Sequence, residues 1–183
     1  MCGISGVFSL TDRPVPIDAA LRMHQALNHR GPDGEAVVLF PCESPSSPIL
    51  FRKGQCRLPA IPAWAILCHH RLSILDTSSA GLQPMSSLSG LWWIVFNGEI
   101  YNFLELRRTL PGHPWRSATD TEVLLELWEK EEEQSLSKLI GMWAFALVSP
   151  SKREVVLCRD RFGIKPLYYA LSLIHISEPT RPY

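Results

Sequence analysis

The residue best suited to chemistry is the cysteine at position 2, in the opening sequence MCGISGVF. If Met1 is removed, Cys2 carries a free α-amine beside its own thiol. An α-amine with a pKa of about 7.7–8.0 can act as a base toward a thiol with a pKa of about 8.5. One residue would then supply both the nucleophile and its base. The alternative is that a cysteine at this position is incidental, and Cys2 alone does not decide between the two.

A second candidate is Asn97-Gly98-Glu99, which follows the apolar run LWWIVF. Asn-Gly is a strong signal for a tight turn, so a plain turn is the default interpretation. A turn at a strand end could also present an asparagine amide and a glycine N–H together. That pair of donors suits an oxyanion hole, with Glu99 as an anion at its rim.

Two charged residues, Arg71 and Asp120, are the next candidates. Arg71, in HHRLSILD, ends a predicted buried strand and is either a surface residue or a bidentate clamp for a carboxylate. Asp120 lies in a stretch with capping-box spacing, Thr119-Asp-Thr-Glu122, and helix capping alone would explain it. The adjacent His69 and His70 would point to opposite faces of a strand, so we predict no metal site.

The remaining charged motif is Cys158–Gly163, CRDRFG, whose alternating charges suit an ion-paired strand end. The chain has no GxGxxG and no GxxxxGK[ST] sequence. The sequence therefore predicts no nucleotide-binding loop.

The elements that must position these residues are mostly strands. Apolar runs predict strands at 3–8, 35–40, 63–69, 91–96, 142–148 and 154–159, and another beginning at 167–170. Helices are predicted at 18–28, with Asp18 as the cap, at 102–109 and 119–131, both opened by capping boxes, and at 135–141. The proline-rich segment 41–62 is predicted to be an irregular excursion with one hairpin around Lys53-Gly54. This arrangement indicates a layered α+β domain rather than a βαβ repeat.

Composition excludes several classes of protein. The 183 residues include 18 Lys+Arg and 18 Asp+Glu, so no net charge attracts nucleic acid or an anionic membrane. No apolar stretch reaches the roughly 18 residues that span a bilayer, and the N-terminus lacks the pattern of a secretory signal. Five dispersed cysteines without a CxxC pair argue against a disulfide framework or a structural zinc site. The composition therefore predicts one cytoplasmic domain.

Eight motifs, in order along the chain, closely resemble the glutaminase domain of glutamine-dependent asparagine synthetases. The motifs are MCGISGVF, HRGPDG (29–34), HHRLSILD (69–76), QPM (83–85), FNGEIYN (96–102), TDTEVLL (119–125), GMWAFAL (141–147) and RDRFGIKPLYY (159–169). The resemblance covers residues 1–170 apart from the proline-rich excursion. It implies a class II glutamine amidotransferase domain at 1–170 with an α+β fold. That fold is the N-terminal nucleophile hydrolase type, a four-layer αββα sandwich of antiparallel sheets.

The resemblance also implies roles for particular residues. By position, Cys2 is similar to the nucleophile that attacks the glutamine side-chain amide, and Asn97 and Gly98 match the oxyanion hole. Arg71 matches the clamp on the glutamine α-carboxylate, whereas Glu99 and Asp120 match the residues that hold its α-ammonium. The implied pocket wall is Leu72, Ser73, Ile74 and Leu75. A zwitterionic substrate requires both a cationic and an anionic group, and the residues supply that pattern independently of the resemblance. Arg30 is expected to brace the active-site loop.

The implied partners follow from the same family. L-Glutamine is the expected substrate, no cofactor or metal is expected in this chain, and ATP and Mg would bind a synthetase domain joined in cis in a parent protein. A homodimer is left open; nucleic acid and membrane partners are not expected. Alternatives are another class II amidotransferase, a synthetase acting on a different acceptor acid, or a catalytically silent module.

The end of the chain departs from the family pattern. The tail 171–183, LSLIHISEPTRPY, resembles translated adapter sequence, so we expect it to be non-native and the domain to be truncated with its C-terminal strands missing. Cys68 and Cys158 are expected to pack as small apolar residues.

Overall fold

Two antiparallel sheets carry most of the regular structure in the computed structural model, which describes residues 1–11, 13–43, 47–52 and 61–171. The strands of the first sheet are β1 (Gly3–Phe8), β2 (Gly34–Pro41), β3 (Ile49–Arg52) and β4 (Ala63–Arg71), in the spatial order β1-β4-β2-β3. Those of the second sheet are β5 (Met85–Ser86), β6 (Trp93–Ile100), β7 (Gly141–Ser149) and β8 (Glu154–Arg159), in chain order.

Helices cover the outer faces of both sheets. They are α1 (Ile17–Ala26), α2 (Phe103–Arg108) and α3 (Asp120–Glu131), with 3-10 turns at Asn28–Arg30, Ser79–Gly81 and Glu132–Lys138. Helix α1 packs on β1 and β4, whereas α3 packs on β6 and on α2. The order of layers is helix, sheet, sheet, helix, which confirms the predicted α+β sandwich.

Alternation along the strands builds a core on each face of each sheet. In β2, Val38 and Phe40 pack between the sheets, whereas Val37 and Leu39 join the cluster beneath α1. In β6, Val95 faces the first sheet and its neighbours pack toward α3. Because both faces are covered, these strands are continuous apolar runs in the sequence, and that is why they were predictable.

A hydrogen bond from His69 joins the two sheets. It is fully buried on β4, and its Nε2 lies 3.3 Å from the Phe96 carbonyl oxygen on β6. Burial lowers the pKa of His69 to about 3, so the ring is neutral at pH 7. A neutral ring can donate from Nε2 to that carbonyl, and the contact fixes β4 beside the residue that precedes Asn97.

The predicted turn at Asn97-Gly98 is wrong. Strand β6 continues through both residues to Ile100, with Asn97 opposite Ala144 and Gly98 opposite Trp143 on β7. Pairing with a long neighbouring strand has overridden the local turn preference of Asn-Gly. The predicted strand 91–96 is therefore shifted and extended toward its C-terminal end.

Two of the predicted helix caps are also wrong. Pro16, and not Asp18, is the N-cap of α1, and Asp18 lies in the first turn. Asn102 does not cap α2, because its side chain donates to the Lys138 carbonyl at 2.9 Å and accepts from the Ile140 N–H at 3.0 Å. Thr119 does cap α3, as predicted, by accepting from the Glu122 N–H at 3.2 Å.

Other predictions differ in detail. The helix expected at 135–141 is the 3-10 turn Glu132–Lys138, and residues 167–170 form no strand. Part of the proline-rich excursion is regular, because Ile49–Arg52 pairs with β2. The hairpin at Lys53-Gly54 and the tail beyond Leu171 lie outside the described residues. The boundary at residue 170 stays a prediction.

None of the helices in the described part of the chain has the length and hydrophobicity of a transmembrane span.

Replacing His69 with Gln should change how stability depends on pH. The folded pKa of about 3 lies below the usual value near 6.5, so the unfolded chain binds one more proton between pH 5.5 and 4. Because of this extra proton, the wild type loses about 1.4 kcal/mol of unfolding free energy for each pH unit of acidification. His69→Gln should reduce that slope by about the same amount, measured by urea unfolding at several pH values. His29, which is exposed, is the control, and equal slopes in wild type and His69→Gln would contradict the account.

Candidate active site

The thiol of Cys2 lies where the two sheets meet. Cys2 immediately precedes β1, whose first residue, Gly3, pairs with His70 of β4. The Leu72 N–H points at the Cys2 sulfur with an N–Sγ distance of 3.4 Å, and the Leu72 carbonyl oxygen lies 3.7 Å from the sulfur. Arg30 donates from Nε to the Cys2 carbonyl oxygen at 3.1 Å. These contacts orient the thiol, and Arg30 braces the backbone that carries it, as expected.

One edge of β6 points its N–H groups toward the same place. Along this edge the Phe96 N–H donates to Gln83 Oε1 at 2.6 Å, and the Ile100 N–H donates to Asp120 Oδ2 at 2.9 Å. Gly98 lies between them, so the two-residue period of a strand directs its N–H to the same edge. It lines the cavity described below. The Gly98 N–H is therefore a backbone donor directed toward this cavity.

Glycine is required at position 98 because the strands are close there. A Cβ added to Gly98 would overlap the Met142 carbonyl oxygen and would lie 2.8 Å from the Trp143 Cα on β7. Both contacts are with backbone, which has little room to move. The side chain of Asn97, next along the strand, is buried and lines the cavity.

Arg71 ends β4 with its side chain buried among the loop that follows. Its Nη1 donates to the Ser78 carbonyl at 2.6 Å, and its Nη2 donates to the Asp76 carbonyl. A Cβ on Gly81 would overlap Nη2 of Arg71. Gly81 therefore leaves the space that the guanidinium occupies at the cavity wall.

The loop between Arg71 and α3 is fastened by the Asp76 carboxylate. Asp76 accepts from the Ala118 N–H at 3.0 Å and from the Ser78 N–H at 2.9 Å. These hydrogen bonds, led by the one from Ala118, lower the pKa of Asp76 to about 2. The carboxylate is ionised throughout the neutral range and joins the Arg71 loop to the start of α3.

Asp120 is an anion held without a cationic partner among the described residues. It is the first residue of α3, is almost fully buried, and accepts from the Ile100 N–H. Burial raises the pKa of Asp120 to about 6, and the nearby Glu99 carboxylate acts in the same direction. Above pH 6, where Asp120 is ionised, a bound cation would therefore stabilise this site.

These groups surround a cavity of about 200 Å³. The predicted site residues that line it are Cys2, Arg71, Leu72, Ile74, Leu75, Asn97, Gly98, Glu99 and Asp120. Ser73 does not line it, because its N–H is turned to Asp33 Oδ2 at 2.7 Å. The cavity lining includes a thiol, two cationic residues and three acidic residues, and the cavity is smaller than the roughly 300 Å³ that drug-sized ligands need.

Sequence reasoning missed three lining residues that shape the site. Gln83 bridges β6 and α3, accepting from Phe96 and donating to Thr121 Oγ1 at 3.1 Å. Gly81 makes room for the arginine, and Lys165 enters the cavity from the segment after β8. Gln83 lies in the QPM motif and Lys165 in the RFGIKP motif, but sequence spacing did not indicate which residues their side chains contact.

The absence of a metal site stays a prediction. His24, Glu35 and His70 have ligand-type atoms within 4.8 Å of one another. The two rings are stacked, with centroids 3.8 Å apart and planes 16° apart, so their in-plane lone pairs do not converge on one point. Burial, and then the neighbouring His70, lower the pKa of His24 to about 4, so this ring is neutral at pH 7. This group packs α1 against β4.

Comparisons with known proteins relate this chain to glutamine-dependent enzymes. The profile of the glutamine amidotransferase domain family matches residues 60–179. The asparagine synthetase [glutamine-hydrolyzing] 1 of Bacillus subtilis is 37% identical over 174 residues, with 92% of this chain and 24% of that protein covered. A putative asparagine synthetase of Methanocaldococcus jannaschii is 34% identical over 174 residues, covering 92% of this chain and 30% of its own length. The chain thus spans less than a third of the length of these relatives.

The fold has a solved counterpart. Glutamine phosphoribosylpyrophosphate amidotransferase of B. subtilis superposes with a TM-score of 0.72 at 21% sequence identity, covering 89% of this chain and 38% of that one. The shared architecture confirms the predicted N-terminal nucleophile hydrolase type of fold.

Replacing Asp120 with Asn should stabilise the protein above pH 6. Its folded pKa of about 6 exceeds the usual value near 3.9, so the ionised form costs about 3 kcal/mol at pH 7.5, and this cost is gone below pH 4. Asparagine keeps an acceptor for the Ile100 N–H without the charge. Thermal unfolding should show a higher Tm for Asp120→Asn at pH 7.5 and no gain at pH 4.

The matched control is Asp18→Asn, an exposed aspartate in the first turn of α1. It should lose about 0.3–1 kcal/mol, because it gives up a favourable interaction with the helix dipole. An equal loss of stability at both pH values in Asp120→Asn would contradict the assigned burial cost.

Proposed function

The chain belongs to the glutamine amidotransferase domain family, and from that premise we propose that it hydrolyses L-glutamine to glutamate and ammonia through a thioester on Cys2. The observation that carries the proposal is the meeting of the Cys2 thiol, the edge N–H of Gly98 and charges of both signs in one small cavity. A thiol beside a backbone donor suits acyl transfer. The charges suit the α-amino and α-carboxyl groups of a free amino acid.

The proposed reaction begins when Met1 is removed and Cys2 becomes the N-terminal residue. Its sulfur attacks the carboxamide carbon of glutamine while its α-amine takes the thiol proton. The Asn97 side-chain amide and the Gly98 N–H stabilise the resulting oxyanion. The C–N bond then breaks, and the α-amine returns the proton to the departing ammonia. Water attacks the thioester in the same way, which releases glutamate and restores the Cys2 thiol.

Substrate recognition follows from the charges around the cavity. Arg71 binds the α-carboxylate, and Glu99 and Asp120 bind the α-ammonium, so a simple amide lacking both charges is rejected. The loop from Leu72 to Leu75 forms the wall. Ser73 contributes by fastening that loop to Asp33, since its N–H is already used there.

The use of the ammonia is a proposal about a longer protein, since the relatives named above are more than three times as long as this chain. We propose that a synthetase region joined in cis uses ATP and Mg to convert aspartate to asparagine with this ammonia. The setting would be the cytoplasm, and a homodimer stays a proposal. The acceptor is supported by those relatives, an asparagine synthetase and a putative asparagine synthetase that are 34–37% identical to this chain over nearly its whole length.

Replacing Cys2 with Ala should abolish glutamine hydrolysis, because the variant has no nucleophile for the carboxamide carbon. Release of glutamate and ammonia should fall at least about 1000-fold. The matched control is Cys158→Ala, which removes a half-buried thiol on β8 outside the cavity and should keep the activity. Normal turnover by Cys2→Ala would refute the thioester mechanism.

Replacing Gly81 with Ala should weaken glutamine binding without changing the nucleophile. The added Cβ displaces the Arg71 guanidinium, and losing a charge-assisted contact to a carboxylate costs about 1.5–3 kcal/mol. KM for glutamine should rise about 10–100-fold, with kcat changed less than about threefold. Ser79→Ala, an exposed change in the same turn, is the control. A fall in kcat at unchanged KM would contradict the role of Arg71.

A further inference from the structure

The charged motif at the end of β8 builds a compact loop around one carboxylate. Asp160 Oδ1 accepts from the N–H groups of Phe162 and Ile164, at 3.1 and 2.9 Å. Its Oδ2 accepts from those of Trp143 and Lys165, at 3.2 and 2.9 Å. Four backbone donors on one side chain fix the path of the chain from the end of β8 to Lys165.

Arg159 closes the same loop from the other side. Its Nε donates to the Lys165 carbonyl at 2.7 Å, and its Nη2 donates to the Gly163 carbonyl. Gly163 has φ +63, a left-handed conformation that favours glycine. The RDRFGIK sequence is therefore a hydrogen-bonded loop that fixes the position of Lys165. It is not the ion-paired strand end that its charge pattern suggested.

Lys165, at the end of this loop, is a buried lysine that faces the N-terminus. Lys165 is only 6% exposed, its Nζ lies 3.1 Å from the Met1 sulfur, and both residues line the cavity with Cys2. Within the described ranges, no carboxylate lies within 4 Å of the ammonium. Lysine is rarely buried without an anionic partner, so this position requires an explanation.

We propose that Lys165 is a positioning cation for the catalytic base: once Met1 is removed, its ammonium faces the α-amine of Cys2 and disfavours protonation of that amine. This proposal rests on the proposed glutaminase mechanism, in which the α-amine must be neutral to accept the thiol proton. Removing Met1 takes away the sulfur that the Lys165 ammonium contacts and makes Cys2 the N-terminal residue. The two cations then repel each other, and the neutral amine is favoured.

Other charged groups surround the same amine and act with or against Lys165. Arg30 lies on the Cys2 carbonyl and adds to the positive potential, and Arg71 faces the cavity from β4. Asp76, Glu99 and Asp120 line the cavity from the loop, β6 and α3, and their negative charges act in the opposite direction. All five remain when only Lys165 is replaced, so the difference between variant and wild type isolates the ammonium.

The test is the pH dependence of kcat/KM for glutamine in Met1-free protein, with Met1 loss verified by intact mass. In Lys165→Met and Lys165→Gln the midpoint of the acid limb should rise by about one pH unit, the shift expected for one unit charge nearby. Activity should therefore be about 10-fold lower near pH 6.5 and close to wild type near pH 9. Lys165→Arg, which keeps the charge, should keep the wild-type midpoint, as should Lys130→Met at an exposed position of α3.

Three results would overturn the role of Lys165. These are an unchanged midpoint, a uniform loss of activity at every pH, or a rise in KM alone, which would indicate a direct contact with substrate. If a variant turns over too slowly, the rate at which 6-diazo-5-oxo-norleucine labels Cys2, followed by mass at each pH, reports the same limb in a single turnover. A wild type without glutaminase activity would refute the proposed function instead, so the two failures are distinguishable.

Discussion

The edge of β6 is the feature on which the site depends. Strand β5 pairs with only the first two paired residues of β6, so in the described chain the N–H groups of Phe96, Gly98 and Ile100 have no strand beside them. A buried N–H without an acceptor costs about 1–3 kcal/mol, and the fold supplies acceptors from side chains instead. Gln83 accepts from the Phe96 N–H, and Asp120 accepts from the Ile100 N–H. Gly98 is left facing the cavity, so the interruption of the sheet leaves a backbone donor without a neighbouring strand at the cavity wall.

The same region holds groups that are unfavourable for folding and useful for binding. Asp120 is ionised at pH 7 although burial opposes its charge, and Lys165 is a buried ammonium. Arg71 directs its donors to backbone carbonyls of the following loop, and Gly81 leaves space beside it. Buried charges such as those of Asp120 and Lys165 cluster where a ligand compensates them. A zwitterionic amino acid would complete the charge pairing that the protein alone lacks.

Sequence predicted those parts of the fold that depend on local pattern. Strands such as β2 and β4 are buried on both faces, so their apolar runs located them correctly. Local signals failed where distant residues decided the structure: pairing with β7 keeps Asn97-Gly98 extended, and Asn102 fastens the segment before β7 instead of capping α2. The roles of the site residues came from a resemblance, because the residues taken singly favoured a plain turn at Asn97-Gly98 and a helix cap at Asp120. Lys165 was missed because its contact with Met1 joins residues at opposite ends of the chain.

The central claim is that Cys2 is an N-terminal nucleophile in a cavity that binds glutamine. Its most direct test is the intact mass of the protein before and after reaction with 6-diazo-5-oxo-norleucine, a glutamine analogue with an electrophilic carbon. The account predicts loss of Met1 and a single adduct that maps to Cys2, formed more slowly when L-glutamine competes. A retained Met1, or adducts distributed over Cys42 and Cys158 and insensitive to glutamine, would contradict it.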